Sequence, residues 1–211
     1  MYDPGFARAA EAAAEVVACI RQLEEGGTNL VADVLGGRPF VEYEHYPPED
    51  VRDRKTCAQY YFHAHPQTRG KWNDYGHFHT FLTLPGTLPC HLIAIAMNRD
   101  GRPVRLFTTN RWVTGGPWLA AEDMIGLLDR FAIHRVKPSR PLNRWITAMF
   151  ILFRAEMEQL LRMRDRRVAA WQRRHPGRDV FQDRNLEVTS GQAIDLERRL
   201  ADIRTQLGFA D

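Results

Sequence analysis

The spacing of apolar residues changes period twice along this 211-residue chain, and that change constrains its fold more than any other feature. From Pro4 to about Glu25, the residues Phe6, Ala9, Ala13, Val16, Val17 and Ile20 recur near every 3.6 positions, as on one face of a helix. Asp3 is a natural cap, Pro4 suits the first helical position and Gly26-Gly27 ends the run. A short second helix is expected over Asn29 to Leu35.

The middle of the chain then alternates residue by residue, as strands do. Strands are expected over Val41 to Tyr46, Ala58 to His65, Gly76 to Leu84, His91 to Met97 and Val104 to Thr109. Pro47-Pro48 is expected to break the first, Pro66 ends the second, and a polar loop is expected from Gln67 to Tyr75. Asn98-Arg99-Asp100-Gly101 marks a hairpin, since Asp-Gly tolerates the backbone such a turn needs. Helical spacing returns afterwards. Helices are expected from Ala120 to Phe131, as one long helix from Arg140 to about Arg174, and from a Ser190 cap to about Leu207. The order predicts a single α+β domain with a mainly antiparallel sheet of about five strands, packed by the N-terminal helix and the long C-terminal helices. Residues 1–36 carry the first helices, 40–118 the sheet and 119–211 the helical remainder.

Five of the eight histidines lie between His63 and His91. Four of them form two His-x-His units, His63-Ala64-His65 and His77-Phe78-His79. Residues two apart in a strand share a face, so each unit presents two imidazoles together, while Tyr60, Phe62, Phe78 and Thr80 point the other way. If the strands pair, three or four imidazoles converge. Neutral imidazole is a ligand for divalent transition metals, and zinc or iron is expected here. Three protein ligands with an open position would suit catalysis, and four would close the site. Glu44, His45 and His91 are further candidates for the surroundings of such a centre. The alternatives are metal-free acid-base use of the imidazoles and a hydrogen-bonded polar sheet face without chemistry.

Other histidine patterns do not match. Phe81 stands where a histidine-triad hydrolase would place its third alternating histidine. His77-Phe78-His79 departs from the His-x-Thr/Ser units of the 2H phosphoesterases, neither His-x-His is followed by the nearby Glu of a cupin, and no HExxH helix is present. The tracts HYPPEDV (His45 to Val51), QYYFHAHP (Gln59 to Pro66), GHFHTFL (Gly76 to Leu82) and LFTTNRWVTG (Leu106 to Gly115) resemble DUF6969, a bacterial family of uncharacterised proteins. The resemblance covers roughly residues 40–120 and implies no particular reaction or cofactor.

The loop from Thr108 to Trp118 combines hydroxyls, an amide, an arginine and two indoles. Arg111 is expected to hold an anionic group of a small-molecule substrate, with Asn110, Trp112, Trp118 and Tyr61 as further contacts. A packed turn is the alternative. Charge is uneven: cations crowd the stretch from Arg135 to Arg178, facing only Glu156, Glu158 and Asp165. Arginine is also a good helix former, and a solvated face accounts for the crowding, so nucleic acid is not the expected partner. The apolar stripe of the long helix suggests contact with a second copy. No export signal is read at the N-terminus, and the apolar run Trp145 to Phe153 is far short of the roughly 20 residues of a membrane span. Cys19, Cys57 and Cys90 are widely spaced, without a CxxC pair, as expected for a cytoplasmic protein with reduced thiols.

Overall fold

The structure is a computed structural model and describes residues 3–65 and 74–209. Helices α1 (Pro4–Glu25) and α2 (Leu30–Leu35) lead into an antiparallel sheet of β1 (Tyr46–Arg52), β2 (Ala58–His63), β3 (Gly76–Thr83), β4 (Pro89–Met97) and β5 (Pro103–Thr109). A single turn of helix, α3 (Arg111–Thr114), follows, then α4 (Ala121–Leu128), α5 (Arg140–Leu152), α6 (Arg154–Arg174), β6 (Val188–Ala193) and α7 (Leu196–Gln206). The strands lie side by side in chain order, β1 to β6, with every neighbouring pair antiparallel. The fold is therefore α+β, with six strands rather than about five. The polar loop expected over 67–75 lies mostly outside the described residues.

The helix starts follow local chemistry. Asp3 accepts N–H bonds from Gly5 (3.0 Å) and Phe6 (3.2 Å), and Asn29 caps α2 through Val31 and Ala32. The β4–β5 hairpin closes as expected: Asn98 N–H donates to Arg102 C=O at 2.9 Å, and Gly101 adopts φ +77°.

Several boundaries differ from expectation, among them the end of β2, which stops at His63 rather than His65. Residues 41–45 are not a strand; β1 begins at Tyr46 and runs through Pro47-Pro48. Prolines are tolerated there because β1 is an edge strand, whose outer side needs no donor. The helix expected over 140–174 divides at Phe153, whose φ of −110° leaves the helical region. Ser190 caps no helix; it lies in β6, and Asp195 caps α7. Strand β6 is short and carries Gly191, so it lacks the alternation that reveals the others.

One face of the sheet packs on helices. Tyr60, Phe62, Phe78, Leu82, Leu92, Ile95 and Leu106 join the main core with Val16 of α1 and Trp145 and Met149 of α5. Trp145 lies against Phe78, with ring centres 5.7 Å apart. Helix α6 covers the β5–β6 side, where Ser190 donates to Leu160 C=O at 2.8 Å. The histidines occupy the opposite face.

Candidate metal centre

The pairing of β2 with β3 brings the two His-x-His units together. His63 stands directly opposite His77, and Tyr61 opposite His79. Gly76 allows the close approach: a Cβ there would collide with the Phe62 ring and His63 C=O. His63 Nε2 lies 2.8 Å from His77 Nε2 and 3.2 Å from His79 Nε2. His65, just past the end of β2, packs its ring 4.7 Å from that of His63 and 5.4 Å from that of His77. Ligating nitrogens of His63, His65 and His77 all lie within 4.8 Å of one another.

His91 reaches the same face through an irregularity. His79 pairs with Ala94 and Phe81 pairs with His91, so three steps on β4 answer two on β3. This bulge flips the alternation. Without it, His91 and Ala94 would point to opposite faces. Thr80 supports the bulge: its hydroxyl donates to Ile93 C=O (2.5 Å) and accepts from Ile93 N–H (3.3 Å). His91 Nε2 then lies 2.9 Å from His79 Nδ1, and His91 Nδ1 3.5 Å from the Thr109 hydroxyl.

The cluster is dry. His63, His77, His79 and His91 are 8%, 7%, 1% and 9% exposed. Burial drives the pKa of His63 down to about 3, helped by neighbouring His65 and His45, and that of His91 down to about 3, helped by Arg164. Burial likewise holds His77 and His79 well below the ordinary histidine value. All four are therefore neutral near pH 7, the form whose lone pair binds metal. A neutral imidazole has one N–H and one lone pair. Ring nitrogens that face one another at 2.8 and 3.2 Å need a shared proton or a cation between them. Imidazole nitrogens about 2.1 Å from a tetrahedral ion stand about 3.4 Å apart. The His63–His79 separation of 3.2 Å is close to this and the His63–His77 separation of 2.8 Å is shorter, so the donor set fits a metal once the His63 and His77 rings draw slightly apart.

The other candidates are placed as follows. His45 stacks on Tyr61 at 3.6 Å, lies edge-on to His63, and is held through Nδ1 by Asp50 at 3.0 Å. Asp50 is fixed in turn by the Gln59 amide at 2.5 Å. Glu44 is exposed. Asn110 is fully buried: its amide donates to Val180 C=O (2.7 Å) and Leu186 C=O (2.9 Å), and its oxygen accepts from Arg111 N–H. It ties the loop down and has no donor left for a substrate. Trp112 donates to Leu186 C=O, while Trp118 packs on Phe181 and under Arg164. Arg111 lies over the Phe181 ring and 3.8 Å from Asp179. It also lines a crevice beside His91, Thr108 and Thr109 whose free space, about 10 Å³, holds about one water. Asp50 and Thr80 were not among the sequence candidates, and Thr109 entered only as a hydroxyl of the loop that starts at Thr108. Asp50 lies five residues from His45, and the other two matter only through strand pairing.

A family model described as Domain of unknown function (DUF6969) matches residues 10–194. The chain belongs to the DUF6969 family. The match runs from α1 to the end of β6, well beyond the tract over 40–120 that carries the resemblance in the sequence. No curated protein and no solved structure matches the chain.

Proposed function

We propose that this DUF6969 protein binds a divalent transition metal, zinc or iron, on His63, His65 and His77, and uses it to act on a small anionic molecule. One observation carries the reading: two imidazoles facing each other across β2 and β3, His63 and His77, and a third just past the end of β2, His65, bring ligating nitrogens within 4.8 Å of one another. A three-histidine set leaves coordination positions for water or substrate. Bound there, such a metal would act as a Lewis acid or activate water. His79 and His91 border the ligands, Asp50 fixes the ring of His45 beside Tyr61, and Arg111 offers charge to an anion at the crevice next to His91. Three unpaired cysteines suit a reducing cytoplasm. Among the described residues no helix is long and apolar enough to cross a membrane.

A second reading is a non-catalytic metal carrier or sensor. It is favoured by His79 Nε2, 3.2 Å from His63 Nε2, which would supply a fourth ligand and close the shell, and by the small size of the crevice. The test is elemental analysis of protein purified without a metal-affinity tag, on the parent chain and on His63→Ala/His77→Ala. Stoichiometric metal in the parent, absent from the variant, is the expected result. No metal in either sinks both readings. Cobalt substitution then separates the two: a spectrum that shifts on adding azide reports an open position, and an unresponsive tetrahedral spectrum reports a closed shell.

A further inference from the structure

We propose that the cleft between the β1–β2 turn and the loop following α4 binds the phosphoryl group of a small phosphate ester. Asp53, Arg54, Lys55, His134 and Arg135 line this cleft of about 360 Å³. That size lies within the usual range of small-molecule sites, about 300–1,000 Å³. It is separate from the histidine cluster. The turn precedes the first residue of β2, and His63 is the last, so the two are roughly 17 Å apart along the strand.

The walls are held by hydrogen bonds between the two segments. Asp53 accepts N–H bonds from Lys55 (2.8 Å) and Thr56 (3.3 Å) with one oxygen, and from His134 (2.7 Å) with the other. The Thr56 hydroxyl donates to Ala132 C=O at 2.6 Å, and the Arg135 guanidinium donates to Arg52 C=O at 2.9 Å. The one carboxylate in the cleft is therefore 4% exposed and engaged by three backbone amides. Burial alone would raise the pKa of Asp53, but those N–H bonds outweigh it and hold the carboxyl below the usual range.

The cations around it are not neutralised in the same way. Arg102, Arg105, Arg144, Arg154, Arg162 and Arg164 each meet a carboxylate. Among the described residues no ion pair involves Arg54, Lys55 or Arg135, and all three are exposed. Three permanent charges and an imidazole facing one concavity suit a compact dianion. Guanidinium groups bind phosphoryl oxygens in pairs, and lysine adds a point charge. The cations share one recess rather than following a track, which favours a small ester over a nucleic-acid backbone.

The experiment is calorimetric titration of the full chain at low salt with phenyl phosphate, inorganic phosphate and acetate. Phenyl phosphate is expected to bind below about 1 mM, and at least about tenfold more weakly to Arg54→Glu/Arg135→Glu. Acetate should give no saturable heat, and Arg173→Glu/Arg174→Glu on α6 should bind like the parent. Saturation by inorganic phosphate as well shows that the phosphoryl group itself is recognised. No binding of either phosphate to the parent chain overturns the proposal, whatever the variants do. So does equal weakening in both double variants, which would report general charge, or binding of an oligonucleotide without binding of phenyl phosphate. The metal content is unaffected by any of these outcomes.

Discussion

The two faces of one sheet solve opposite problems with the same strands. On the helix side, Tyr60, Phe62, Phe78, Leu82 and Leu106 bury hydrocarbon against α1, α5 and α6, and each gains from leaving water. On the other side His63, His77, His79 and His91 are almost as deeply buried, yet these are polar rings that lose most of their hydration. The apolar groups beside them are few, chiefly Tyr61, Phe81, Ala94, Ala96 and Phe107. The buried histidines recover part of the loss through contacts with one another, and their neutrality near pH 7 makes the arrangement tolerable. One face thus stabilises the fold, and the other carries a cost that a bound cation would offset.

The comparison can be broken most sharply by exchanging damage between the faces. His63→Ala/His77→Ala should lower bound metal from about one equivalent to under about a tenth, while metal-free melting stays close to that of the parent. Phe78→Ala should do the reverse, costing about 3–5 kcal/mol in denaturant unfolding and leaving the metal stoichiometry intact. If both variants lose metal and stability alike, the two faces are not independent.

Acid sharpens the contrast next. His63 and His91 titrate near 3 when folded and near 6.5 when unfolded. The unfolded chain therefore takes up protons first as pH falls. Stability is fully present above about 6.5 and declines as pH drops toward about 3, by at most about 1.4 kcal/mol per pH unit for each group. Denaturant unfolding of metal-free protein at several pH values would check this, and His91→Phe should flatten the slope. A parent chain equally stable at pH 7 and pH 4.5 would contradict it. The smallest effect is expected at the bulge. Thr80→Val removes a hydroxyl that serves both backbone groups of Ile93, costing about 1–3 kcal/mol. It should also shift the ring NMR signals of His91 while leaving those of His65 in place.

Much of this was legible beforehand where local rules decide. The cap at Asp3, the short helix before Gly36, the Asp100-Gly101 hairpin and the alternation through AQYYFH and GHFHTFL each depend on neighbours in the chain. The edge position of β1 was not legible, because Pro47-Pro48 reads as a break until a partner occupies only one side. Nor was β6, which is held by pairing with β5 and by Ser190 on α6 rather than by its own pattern. Asn110 was misleading for the same reason: an amide in a polar loop looks available until the carbonyls of Val180 and Leu186 arrive from far along the chain.

The sequence by itself indicated that His63 shares a face with His65 and His77 with His79 wherever the chain is extended, because an extended backbone repeats every two residues. Tertiary structure alone decided that the two couples meet in register, that a bulge turns His91 toward them, and that the cluster lies away from water. The reason is physical: alternation is a property of one strand, whereas register, bulges and burial arise only when strands and helices compete for the same space.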